Sequence, residues 1–305
     1  MCIRDRNKEA LIFHAVASPY RSRSHFDAQN IVENGGSQAY QYRSGWINRL
    51  VESQSANAIS VSKQSPYIAK GVSDIPSWFP KKNIKNLDPF LEKLEVLYKK
   101  DRHFADEFEQ ALKIEELAQK SMMSDDSSSK GTAGSAKLIS LLESVSKIIT
   151  SKQEKVNVTF IDISGWDTHA SQGKENGQLA SKFKNVDNAL SLLPDLMGKE
   201  WKNTSVLITT EFGRTVRPNG TGGTDHGTAS AAMLLGGNVK GGRVISKWPN
   251  LSAKDLYQNR DLKPTMDMRS LFKTVLNQHL GVSRSILNQK VFPNSSKAVY
   301  LKGLY

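Results

Sequence analysis

The sequence predicts an α/β fold in which a mostly parallel central sheet is covered by helices. Three observations carry that prediction. The chain contains largely apolar runs of strand length, the longest being ALIFHAVA at residues 10–17, interrupted only by His14. In the second half, such runs alternate with loops and amphipathic segments, the order that builds parallel sheets. No internal repeat points to a solenoid or propeller instead.

Taken in order, residues 10–17 form a largely apolar strand, expected inside a parallel sheet with neighbours on both sides. Ser18-Pro19 closes it. SRSHFDAQNIVENGG then reads as a helix, with Ser24 at the N-cap, Asp27 three residues on as in a capping box, and Gly35-Gly36 at the end. SGWINRLVESQ is a second short helix, and AISVSKQSPYIAKG is extended and irregular. From Leu87 to Lys120, Phe90, Leu91, Leu94, Leu97 and Tyr98, then Phe104, Phe108, Leu112 and Leu117, fall at helical spacing. SMMSDDSSSKGTAGS is a polar loop. Residues 136–150 return to a helix, with Leu138, Leu141, Leu142, Val145 and Ile149 on one face. A strand at 156–163, a helix over 177–200, a strand at 205–210 and the apolar AAMLLGG follow. DMRSLFKTVLNQHLG is the final helix, ended by Gly281.

The 305 residues suffice for one large α/β domain or two modest ones. We read one domain over 10–305, with 81–135 a helical insertion covering the site. Residues 1–9 are set aside, because MCIRDR looks like an adaptor-derived artefact. A buried strand follows at once, so the native protein is expected to begin earlier, with a first strand missing here. No apolar run approaches the ~18–20 residues of a membrane span. The formal net charge of +12 favours anionic ligands. Carboxylates are interspersed among the lysines of 81–155 without aromatic–basic alternation, which argues against nucleic acid. One cysteine, Cys2, excludes an intramolecular disulfide and a Cys-based zinc site. MCIRDR has no apolar core and is not a signal peptide.

Chemistry gathers just past the carboxyl ends of strands in open α/β sheets, and three acid/histidine clusters fall there. Asp167 and His169, two apart, point to one side of an extended backbone and can grip one divalent metal at about 2.0–2.2 Å. Asp162, in the preceding strand, is a further ligand or an acceptor for a histidine N–H. Glu211 ends the next strand, with Arg214 placed to bind an anion through its fork. Asp225 and His226 are adjacent and would diverge on a strand, but Gly220, Gly222, Gly223 and Gly227 allow a tight backbone that turns both inward. Of the other histidines, His14, His103 and His279 read as structural. His25, beside Ser22 and Ser24 at a helix start, is a functional candidate.

SPYRSRSHFDAQ, SGW, GWDTH, TTEFGRT, NGTGGTDHGTAS and GGNVKGG, in that order, resemble the exported bacterial family labelled domain of unknown function 1501, a branch of the alkaline phosphatase/sulfatase superfamily. The resemblance runs from about residue 11 to the C-terminus. It implies an alkaline-phosphatase-like three-layer sandwich and one or two divalent ions, most plausibly zinc, with calcium, magnesium or manganese as alternatives. It further implies twin-arginine export to the periplasm. Asp167, His169 and His226 look like one metal's ligands. Glu211-Phe212 stands where relatives offer Asp-His to a second ion, and the superfamily's first-strand Asp ligand has no counterpart. The nucleophile is expected at the helix head, as Ser24 or, alternatively, Ser22, with Arg21 or Arg23 contacting the anion. The expected activity is metal-dependent hydrolysis of phosphate or sulfate esters, on a small molecule or polymer. The alternative is a non-catalytic envelope protein that keeps the fold and binds a partner or anionic polymer. The chain as given is expected to be inactive, because a central strand and its metal-binding Asp are expected to be missing.

Overall fold

A computed structural model of the chain describes residues 7–54, 56–62, 64–79, 133–151 and 156–305, with 98, 105 and 109. The expected helical cover at 81–135 lies almost wholly outside them, as does His103. Strand β1 (Ala10–Ala17) is followed by helices α1 (His25–Asn34) and α2 (Trp46–Gln54), then β2 (Ala58–Val61) and β3 (Ser77–Trp78). Helix α3 (Ala133–Thr150), strand β4 (Val158–Ile161) and helix α4 (Gln178–Met197) come next. The chain ends through β5 (Val206–Ile208), β6 (Ser230–Leu235), β7 (Arg243–Ile245), β8 (Met266–Asp267) and helix α5 (Met268–Gln278), with short turns after it.

These strands form two sheets where a single mostly parallel one was expected. One has the order β5-β6-β1-β7, with β8 also on β1; the other, β3-β2-β4, is wholly parallel. In the larger sheet β7 and β8 run parallel to β1, but β6 runs antiparallel to both β1 and β5. The sheet is therefore mixed. β1 does have neighbours on both sides, as its apolar run predicts. Alternation along it splits the core. Leu11 and Phe13 join Leu234, Trp46, Leu50, Leu271, Phe272 and Phe292 in one cluster. Ala10 and Leu235 join Leu142, Leu190, Leu193, Met197 and Trp201, from α3, α4 and the turn after α4, in another.

Two details aim the chain at the site. The β1–β6 register slips between Phe13 and Val16, where Ala15 takes a φ of +55°. Such a bulge bends a strand end. Ser24 then occupies the N-cap position of α1, but its side chain makes no capping bond; Asp27 instead accepts the Tyr20 hydroxyl at 2.9 Å. The loops after β1, β4 and β5 supply the chemistry.

Candidate metal centre

Asp167 is the hub. Its Oδ1 lies 3.0 Å from His169 Nε2 and 3.2 Å from His226 Nε2, and its Oδ2 lies 3.2 Å from His25 Nε2. The two nitrogens of His169 and His226 are 2.9 Å apart. Ligand atoms of His25, Asp167 and His226 all fall within 4.8 Å of one another. Three side chains from three loops thus converge, and His169 joins them through Asp167 and His226.

The outer nitrogen of every ring is occupied. His25 Nδ1 donates to Glu211 Oε1 at 2.7 Å, His169 Nδ1 to Asp225 Oδ1 at 3.1 Å, and His226 Nδ1 to the Arg23 carbonyl oxygen at 2.9 Å. A carbonyl oxygen can only accept, so the His226 proton sits on Nδ1; an ionised Glu211 or Asp225 imposes the same tautomer on its ring. In that tautomer each ring directs an Nε2 lone pair inward. His25 Nε2 is buried and has no aligned hydrogen-bond partner. Carboxylates and carbonyls behind the outer nitrogen are the usual orienting partners of metal-bound histidine.

The backbone explains how adjacent residues serve one centre. Residues 213–215 and 225–228 pair antiparallel, through Gly213 N to Thr228 O, Thr215 N to Asp225 O and Gly227 N to Gly213 O at 2.8–3.0 Å. His226 reaches the centre from this ribbon, while Asp225 reaches it through His169. Gly223 lets the ribbon touch the GWDTH loop, because a side chain there would meet the carbonyls of Thr168 and His169. The His169 carbonyl accepts from Asn219 Nδ2 at 2.8 Å and Thr221 Oγ1 at 2.7 Å.

A family model described as "Protein of unknown function (DUF1501)" matches residues 9–291. The chain belongs to that family. No curated protein and no solved structure gave a match.

Within this DUF1501 chain, the candidate residues divide by position. Asp167, His169 and His226, the three residues that the resemblance groups around one metal, lie within 2.9–3.2 Å of one another. His25, expected beside a nucleophile, instead turns its Nε2 to Asp167. Glu211 and Asp225 bond the outer nitrogens; Glu211 Oε2 also accepts the Thr210 hydroxyl at 2.9 Å, so both its oxygens are engaged. Phe212 stands at ring-centroid distances of 4.8 Å from His25 and 4.9 Å from His226, walling both rings. Asp162 makes no hydrogen bond to any of the three imidazoles; burial and the neighbouring Glu211 charge raise its pKa.

Neither Ser22 nor Ser24 hydrogen bonds to the cluster, and Ser22 is exposed. Arg23 is turned away, its guanidinium bonding Asp261 and Gln258 at 2.7 Å each. Arg21 bonds the carbonyls of Ser18 and Tyr20. Arg214 does face the centre. It bonds Asp167 Oδ1 and is pinned through Thr224, whose Oγ1 accepts Nε at 3.1 Å and whose carbonyl accepts Nη2. Burial acts to raise the Asp167 pKa, but the hydrogen bond and positive charge of Arg214, with His226 and His25 alongside, outweigh it and hold the carboxyl down at about 2. Hydrogen bonds from Asn219 and His169 likewise lower Asp225. Away from the centre, His14 faces Trp248 at 5.4 Å, and His279 stacks on Tyr305 at 5.3 Å.

No sequence signal marked His25 as a companion of Asp167, since 142 positions separate them. Only the order of the motifs hinted that the SRSH segment belongs with GWDTH.

Proposed function

We propose that this protein binds a divalent metal through His25, Asp167, His169 and His226, and acts on anionic esters there. The carrying observation is the convergence of three oriented Nε2 atoms on one carboxylate. With every Nδ1 protonated, His169 and His226 present two acceptor nitrogens to each other at 2.9 Å. Two lone pairs at that distance repel unless a cation lies between them. Tetrahedral bonds of about 2.0–2.1 Å would separate ligand atoms by about 3.3–3.4 Å. The observed separations of 2.9, 3.0 and 3.2 Å are only slightly tighter. Three imidazoles with one carboxylate favour zinc over calcium or magnesium, which prefer oxygen donors.

A bound divalent ion supplies Lewis acidity toward an ester oxygen. The protein's own part is orientation and charge. Glu211, Asp225 and the Arg23 carbonyl fix the rings. Arg214 spends three of its five N–H groups on Thr224 and Asp167 and keeps two for a phosphate or sulfate oxygen. The superfamily's sandwich architecture and twin-arginine export to the periplasm belong to this proposal and rest on the motif resemblance. Zinc as the specific ion belongs to it too and rests on the donor set.

A second reading is favoured by one observation: neither Ser22 nor Ser24, the expected nucleophiles, hydrogen bonds to the cluster. On that reading the protein is a non-catalytic envelope component that binds metal and an anionic polymer or partner. Zinc content and p-nitrophenyl phosphate and sulfate turnover, measured for the chain and for His169→Ala and His226→Ala, separate the two. Turnover that needs both histidines supports the hydrolase. Zinc binding without turnover leaves the binding protein. A chain in which no divalent ion co-purifies or restores turnover defeats the hydrolase.

A further inference from the structure

His226 carries its proton on a nitrogen that no side chain holds. The acceptor is the Arg23 carbonyl, and Arg23 reaches its pose at a φ of +63°. That left-handed region is costly for any residue with a Cβ and bulk beyond it. The Arg23 side chain is clamped on the far side of the loop. Nε donates to Asp261 Oδ2 at 2.7 Å, and the same oxygen accepts Thr228 Oγ1 at 2.6 Å. Asp261 is completely buried. Its own turn is wound by Gln258 and Asn259, at φ of +55° and +54°, and Asp261 pairs with Thr215 and Tyr257 across it. Three left-handed residues other than glycine therefore surround one ion pair with a buried carboxylate, and Thr228 ties that pair to the strand carrying His226. Strain of this kind persists where the surroundings over-determine it, and it clusters at functional sites.

We propose that Arg23 is a positioning residue, not an anion contact: its left-handed backbone, clamped by Asp261, presents the carbonyl that fixes the His226 proton on Nδ1 and turns Nε2 to Asp167. The consequence for metal rests on the reading above; the consequence for the proton does not.

Four substitutions separate backbone from side chain. Arg23→Gly, Arg23→Asn, Arg23→Ala and Arg23→Val all remove the guanidinium, but their tolerance of positive φ falls in that order. Zinc affinity of the whole chain, measured against a chromophoric chelator, is expected to fall in the same order. The Val variant should lie about 10–100-fold below the Gly variant, the usual effect of losing an orienting partner. In the metal-free protein, nitrogen NMR of the histidines should show the His226 proton on Nδ1 in the parent, Gly and Asn proteins and displaced in the Val protein. Should the Val protein fail to fold, the Gly–Ala pair decides. Four variants alike in both measurements overturn the proposal while leaving the metal reading intact if the parent binds zinc. A parent that binds no zinc, with the proton following the series, defeats the metal reading and upholds this one.

Discussion

Gly223 is where the geometry makes its sharpest quantitative demand. A Cβ added there would stand 2.5 Å from the Thr168 carbonyl oxygen and closer still to the His169 carbonyl. Ordinary contact begins near 3.4 Å and the His169 carbonyl would stand at 2.2 Å, so the ribbon and the GWDTH loop must separate by about 1.2 Å. The atoms that must give way are backbone, and the His169 carbonyl is itself held by Asn219 and Thr221. A ligand set tolerates displacements of about 0.5 Å. Gly223→Ala should therefore cost about 1–3 kcal/mol of stability through overpacking, and weaken zinc binding about 10–100-fold by carrying His169 off its position. Gly220→Ala is the control, since that glycine has open space around it and no positive φ. Thermal unfolding with and without zinc, together with chelator competition, measures both effects. Equal zinc affinity in the two variants would refute the claim that this glycine positions His169.

Other consequences follow from the same contacts. The Asp167 carboxyl sits at about 2 against an ordinary 3.8. A depressed carboxyl contributes stability above its unfolded value and loses it as pH falls through the folded one. In chelator-treated protein, Asp167→Asn should lack the part of the Tm decline that wild type shows between about pH 4 and pH 2; identical acid limbs would contradict this. Lys273, 1% exposed, gives its ammonium to Ser295 O at 3.0 Å, Ser295 Oγ at 3.3 Å and Ala298 O at 2.8 Å. Lys273→Met strands those acceptors and should cost about 2–4 kcal/mol in denaturant unfolding; a neutral result would show that water replaces it. Glu211→Gln keeps an acceptor for His25 Nδ1 but loses the charge, so zinc affinity should fall less than in Glu211→Ala, and equal losses would rule out an orienting role.

Much of this was legible in the sequence. The run at 10–17 gave β1 residue for residue, and the Gly35 stop gave the end of α1, whose C-cap takes a φ of +70°. The segments at 156–163, 177–200 and 205–210 each hold the expected element, shortened at its ends. What was hidden depends on distant partners. β7 and β8 are three and two residues long, too short for any period, and their pairing is set by β1. The antiparallel run of β6 follows from where the 209–229 loop delivers the chain, which composition does not encode. At the site, Asp-x-His after one apolar run and Asp-His after another marked the right loops. Whether a carboxylate meets an inward or an outward ring nitrogen is a matter of an ångström or two. Glu211 and Asp225 therefore looked like ligands from their spacing, yet both contact Nδ1 atoms. Phe212, read as a departure from its relatives, lines two imidazoles.

Zinc K-edge absorption spectroscopy on the 305-residue chain loaded with one equivalent of zinc tests the central claim most directly. The account predicts a four-coordinate ion with about three imidazole nitrogens and one carboxylate oxygen at about 2.0–2.1 Å, and loss of one imidazole each in His25→Ala, His169→Ala and His226→Ala. A spectrum of oxygen ligands without imidazole scattering, or one unchanged by those substitutions, would contradict it.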